Sequence, residues 1–273
     1  MIWILCIVSI PVTCIVGWRL IFGEKPIHRA AHKGDLEKVI KIIEKDPAQI
    51  NIQDRLSMAP LYLASMKGHT EIVKYLLAHG ADIEMGNHLD ERPLAKAAEF
   101  GHYSTMKTLL EHGAEVNCKD KFGLTPLHKA LLWNDKELVN ILLSYGADVN
   151  ARDEDNNTPL HKGAIYRNDK GIVNILLLHG ADVNAKNEYA TTPLHIAAIH
   201  NNINAAKALV EHGADVFAKN YYDYTKPTEK PRFSPSGRFM NKTPKGIASR
   251  LGHKKLAQYL QTIEEEKKKE MEE

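Results

Sequence analysis

Residues 121–161 read KFGLTPLHKALLWNDKELVNILLSYGADVNARDEDNNTPLH. Within this stretch Thr125-Pro126-Leu127-His128 returns as Thr158-Pro159-Leu160-His161, with Tyr145-Gly146-Ala147-Asp148 between the two. Working outward, proline recurs at Pro26, Pro60, Pro93, Pro126, Pro159 and Pro193, at intervals of 34, 33, 33, 33 and 34 residues. The Gly-Ala word recurs as His79–Asp82, His112–Glu115, His179–Asp182 and His212–Asp215. Several of these continue into Val-Asn, at Asn117, Asn150 and Asn184. A fixed period of this length is the mark of stacked supersecondary units.

Each word has a physical reading. Thr before Pro is a good N-cap, and Pro is tolerated at the first helical position. Leu127, Ala130, Val139, Leu142 and Leu143 fall at helical spacing and are expected to face adjacent units. Ala97-Ala98 and Ala197-Ala198 let helices approach closely. The glycine of each Gly-Ala word can take the left-handed conformation that ends a second helix. One such unit cannot bury its apolar faces alone, so the stack is the folding unit.

These words resemble the ankyrin-repeat family over roughly residues 24 to 262, in a style similar to ankyrin proteins of obligate intracellular bacteria. The resemblance implies an all-α solenoid of about six repeats plus a C-terminal cap, built from helix pairs with β-hairpin loops. The expected organisation is an apolar helix over 1–22, acting as membrane anchor or signal segment, and an N-terminal capping repeat over 23–54. Repeats follow over 55–87, 88–120, 121–153, 154–187 and 188–220. A loop insertion over 221–241, a C-terminal capping repeat over 242–262 and a solvated charged tail over 263–273 complete the chain.

Departures from the pattern are local. The first repeat reads Lys25-Pro-Ile-His28 and has Asp46-Pro47 where the second-helix glycine should be. The third reads Arg92-Pro-Leu-Ala95, and the fifth carries one extra residue near Arg167-Asn168. Lys245 stands where the last unit should have an apolar residue, and Pro193 to Pro244 is 51 residues. The insertion is rich in proline, basic and aromatic residues, among them Tyr221, Lys226, Lys230, Arg232, Arg238 and Phe239. Insertions in repeat proteins map to loops.

Residues Met1 to Trp18 carry no charged side chain, and extension to Phe22 adds only Arg19. Some 22 helical residues reach ~33 Å, against a hydrocarbon core of ~30 Å. Basic residues follow the segment at Arg19, Lys25, Arg29 and Lys33, which by the positive-inside rule keeps the repeats cytosolic. A cleaved leader is the competing reading; it lacks a basic residue before the apolar run and a good cleavage site.

Composition excludes several functions. Net charge is +2, so no global field points to nucleic acid. Cys6, Cys14 and Cys118 provide neither a disulfide framework nor metal spacing. Eleven of the fourteen histidines occupy slots defined by the repeat. No catalytic, metal or cofactor motif is present, and an enzyme is not expected.

The informative pattern is a ladder on the first helices. Lys33, Lys67, Phe100, Trp133, Tyr166 and His200 share one slot, and Arg29, Leu63, Lys96, Lys129, Lys162 and Ile196 share the slot four residues earlier. Positions i and i+4 lie on one helix face. The resemblance places this face in a partner-binding groove. Lys96, Phe100, Lys129, Trp133, Lys162, Tyr166, Ile196 and His200 are therefore the expected partner-binding residues, with aromatic anchors and a basic rim suited to an acidic segment with apolar side chains. The expected function is a membrane-tethered protein-interaction module, monomeric and with no nucleic-acid partner. A secreted effector, or binding of anionic lipid or nucleic acid through the lysines and the insertion, are the alternatives.

Overall fold

The structure, a computed structural model, describes residues 25–165, 170–221 and 242–273. The apolar segment 1–22, the extra residue of the fifth repeat and nearly all of the 221–241 insertion lie outside the described residues. The chain forms two compact units that divide between Glu115 and Val116.

The first unit holds three helix pairs: α1 (Pro26–Lys33) with α2 (Leu36–Lys45), α3 (Pro60–Lys67) with α4 (Thr70–Ala78), and α5 (Pro93–Glu99) with α6 (Tyr103–Glu111). The second holds α7 (Pro126–Ala130), tightened into a 3-10 turn at Leu131–Trp133, with α8 (Lys136–Ser144); α9 (Pro159–Gly163) with α10 (Lys170–Leu178); α11 (Pro193–Ile199) with α12 (Ile203–Glu211); and α13 (Pro244–Arg250) with α14 (Lys254–Glu272). Every first helix begins on the periodic proline, whose missing N–H costs nothing there.

Within each unit like packs on like. α1 lies on α3 and α3 on α5; α9 lies on α11 and α11 on α13. The seams are made of small or branched side chains. Ala64, Ala97, Ala98, Ala197 and Ala198 are fully buried, as are Val73, Leu109, Leu142, Leu176 and Leu209. Cys118 is buried at the slot where later repeats bury Ala151, Ala185 and Ala218, so it serves as a core side chain.

The connecting loops are not the β-hairpins expected from the resemblance. Among the described residues the sole β pairing is an isolated antiparallel bridge between Asn220 and Lys242, which joins the two ends of the insertion. The loops are instead closed by an Asp or Asn side chain. Asp120 Oδ1 accepts from Phe122 N and Leu124 N, both at 2.9 Å. Asp54, Asn87, Asp153 and Asn187 repeat the same two bonds in their own loops. Short polar side chains favour this geometry because they can mimic a backbone turn. Neighbouring loops then meet by one backbone bond each: His88 N donates to Leu56 O at 3.2 Å, and Glu154 N to Phe122 O and Glu188 N to Asp155 O at 3.0 Å.

The asparagine of each Val-Asn word clamps one repeat to the next. Asp148 N donates to Asn117 Oδ1 at 2.7 Å, and Asn117 Nδ2 donates to Gly146 O at 3.1 Å. Asn51, Asn150 and Asn184 make the same pair of bonds. In the second repeat Glu84 takes this slot and accepts from Glu115 N at 2.7 Å. It has no donor to offer, and Arg92 bridges its other oxygen at 2.8 Å to the Glu115 carboxylate. Two departures from the repeat words therefore compensate each other. The series ends at Phe217, where Lys268 Nζ lies 6.0 Å from the ring centroid.

The charged tail is not a solvated extension throughout. α14 runs without a break to Glu272, and Glu264 is buried. Its carboxylate meets Lys245 at 2.7 Å, and Lys267 Nζ donates to Ala214 O at 3.3 Å. Lys245 can replace an apolar residue because this helix brings it a carboxylate.

Candidate functional site

The histidines form a structural frame. Thr125 N donates to His128 Nδ1 at 3.2 Å, leaving Nε2 to donate to Asn157 O at 3.2 Å. His161 and His195 are held alike between their Thr and the following loop, through Thr191 O and Lys242 O. Both ring nitrogens are used by the neutral imidazole, and a second proton would remove the acceptor. Burial pushes all three down to about 4, opposed by their carbonyl partners.

A second set reaches backward. His69 Nε2 meets His32 O at 3.1 Å and His102 Nε2 meets Met66 O at 3.0 Å. Asn202 fills the same slot in the second unit through Ala164 O, and His253 through Ile199 O. The backbone gives way to these rings. A Cβ on Gly68 (φ +73°) would lie 2.6 Å from the His102 imidazole. A third set, His79, His112, His179 and His212, caps its own helix by bonding to the carbonyl four residues back.

The ladder residues divide into two kinds. Lys96 is buried and its Nζ sits 2.9 Å from Glu91 and 2.8 Å from Glu99. Glu91 also accepts from Asn87 at 2.8 Å, beside the buried Tyr62 hydroxyl, whose proton is held tightly by burial and by the Glu91 charge. Lys129 is buried on Asp120 at 2.9 Å, and Lys162 meets Asp153 at 3.3 Å. Lys129 and Lys162 are spent on the carboxylates that shape the loops and Lys96 on Glu91 and Glu99, so the charge of the expected basic rim is paired at all three.

The sequence carried a signal for this. Lysine follows the loop aspartate by nine residues in Asp120–Lys129 and Asp153–Lys162, while Asn187 is followed at that distance by Ile196. In these three repeats charge is present or absent at both positions together, whereas Asp54 is followed at that distance by Leu63. Where Asn87 breaks the rule, Glu91 supplies the carboxylate for Lys96.

The aromatic members behave differently. Phe100 is 41% exposed and Trp133 is 53% exposed, with Leu132 beside it at 53%. Lys96 Nζ lies 5.7 Å from the Phe100 centroid. Ile196 and His200 are half-buried. Tyr166 lies outside the described residues. Within the second unit the turn bearing Leu132 and Trp133 packs on α9, which packs on α11.

The ankyrin-repeat family model, described as three copies of the repeat, matches residues 27–120, 94–187, 127–220 and 164–271. The chain belongs to the ankyrin-repeat family. Over 53 residues it is 40% identical to Ankyrin repeat domain-containing protein 7 of Homo sapiens, covering 19% of this chain and 21% of that protein. Over 51 residues it is 43% identical to BTB/POZ domain-containing protein 3 of Schizosaccharomyces pombe, covering 19% of this chain and 10% of that one. The matches thus span about a fifth and a tenth of these relatives. Among solved structures it is similar to the ankyrin repeat domain of Bcl-3, described as a unique member of the IkappaB protein family. That likeness has TM-score 0.66 and 26% identity, over 83% of this chain and 94% of that one. Ankyrin repeats are in general protein-interaction scaffolds rather than catalysts. Among the described residues no helix is long and apolar enough to cross a membrane.

Proposed function

We propose that this ankyrin-repeat protein holds a partner protein on the exposed face of its first helices, with Phe100 as the anchor of the first unit and Trp133 as that of the second, where Ile196, His200 and, from its place in the sequence, Tyr166 are flanking contacts. The observation that carries the reading is exposure. Large aromatic side chains stand in water at a slot of a stack whose other first-helix positions are mostly buried. Aromatic residues dominate interface energetics because they bury much area with few rotamers to freeze. The pairing of Lys96, Lys129 and Lys162 speaks against lipid or nucleic-acid binding through those residues.

The test is copurification and titration with Phe100→Ala and Trp133→Ala combined. Truncating a central anchor costs about 2 kcal/mol, so affinity is expected to fall more than about tenfold with the melting curve little changed. Unchanged affinity in the folded double variant removes the reading. We extend it to a membrane tether through residues 1–22 on their apolar sequence, whose one charged side chain is Arg19. Sequencing the mature N-terminus separates that tether from a cleaved leader.

A further inference from the structure

Lys33 and Lys67 close the last turns of α1 and α3, which pack along each other. Both are exposed, and Arg29, one turn before Lys33, is half-exposed. Their backbone positions are fixed by the backward-reaching histidines. His69 holds the His32 carbonyl at 3.1 Å and fills the space beside Gly34, where a Cβ would come within 2.7 Å of the ring. His102 does the same at Met66. Its ring in turn stacks on Phe100, with centroids 6.4 Å apart and planes 14° from parallel. Lys33, Lys67 and Phe100 therefore follow one another along a row of rigid rungs, all within the first unit.

Three of the carboxylates on the surrounding elements have partners of their own. Asp35 accepts from Lys38 N at 3.0 Å, Glu71 meets Lys74 at 2.9 Å, and Glu99 meets Lys96 at 2.8 Å. His32 registers the resulting field. Its proton affinity is lowered first by burial and then by Lys67, His69 and Lys33, with no carboxylate among the causes. Positive charge on the ladder is thus displayed at its first two rungs and neutralised at the lysines beyond them.

We propose that Arg29, Lys33 and Lys67 bind the carboxylates of an acidic peptide segment whose adjoining apolar residue packs on Phe100. The proposal deepens the groove reading and rests on it. An acidic peptide fits better than a duplex or a membrane. The cations form one short row that ends on an aromatic ring, and the net charge of +2 offers no broad positive field. Opposed charges at an interface set the register and the encounter rate, while the aromatic contact supplies the anchor.

The experiment is selection of a random-peptide display library on the full chain, followed by titration of the recovered peptides. Peptides rich in Asp and Glu beside a bulky apolar residue are expected. Lys33→Gln with Lys67→Gln should weaken them about tenfold and flatten their salt dependence. Phe100→Ala should weaken them as well, and Lys33→Arg with Lys67→Arg should retain binding. Urea melting accompanies each variant, because lysines in a last helical turn also stabilise the helix end. A loss of stability with binding intact overturns the proposal in favour of that helix-end role. Recovered peptides that lack acidic residues but depend on Phe100 or Trp133 overturn it and leave the groove reading standing. Peptides insensitive to all of these variants overturn both. Lysine-dependent binding of phosphatidylserine vesicles or RNA, with no acidic peptide recovered, also overturns it.

Discussion

At the scale of single residues, the repeat words are hydrogen-bond circuits that need a neutral imidazole. His128, His161 and His195 each accept from a backbone N–H and donate to a carbonyl of the next loop. Their imidazoles resist protonation until about pH 4, whereas unfolded histidines take up protons near pH 6.5. Between those values the unfolded state binds more protons, so stability falls as pH falls. The contribution is complete above about pH 6.5 and gone near pH 4. Each histidine adds up to ~1.4 kcal/mol per pH unit inside the window. Urea midpoints measured from neutral pH to about 4.5 should therefore decline, and His161→Gln should reduce the slope by about one third of the histidine share. An unchanged slope would mean that His161 is protonated in the native state. The lysines teach the opposite lesson at this scale. A lysine on a shared helix face reads as surface charge until the carboxylate nine residues earlier is noticed.

At the scale of elements, a local rule can be broken when another element supplies the missing partner. Arg92 stands where a capping threonine would be, and Glu84 where a clamping asparagine would be. Together they restore the link to Glu115. Lys245 intrudes on an apolar slot, and α14 answers with Glu264. Removing one member of a buried pair strands the other, while replacing both with apolar groups can be nearly neutral. Lys245→Met alone is expected to cost about 2 kcal/mol, allowing for its partial exposure, and Lys245→Met with Glu264→Leu should recover most of that. Helicity followed through urea melts reads both, and a double variant as unstable as the single would remove the pair from α14 docking. The helix starts were legible because proline, threonine and histidine act within four residues of one another. The loop closure was legible only in part: Asp54, Asn87, Asp120, Asp153 and Asn187 recur, yet the side-chain turns they make are not strands. The docking of α14 was hidden, because a run of glutamate and lysine reads as solvated until a distant lysine is brought against it.

At the scale of the whole molecule, stability is a sum of repeats and of the seams between neighbours. Every stabilising link described for a repeat, whether histidine, asparagine clamp or loop bond, reaches only the unit before or after it. A core lesion should then be felt locally. Leu194 is the second residue of α11 and is fully buried. Truncating such a leucine to alanine typically costs about 2–5 kcal/mol. In Leu194→Ala, amide exchange is expected to accelerate across α11 and α12 and in the helices packed on them, α9, α10 and α13. Residues 25–87 belong to the other unit, so their protection should stay at its original level until global unfolding. Protection lost evenly from α1 to α14 would mean that the chain opens as a single cooperative body. In that case nearest-neighbour seams would no longer account for how the repeats hold the ladder in place.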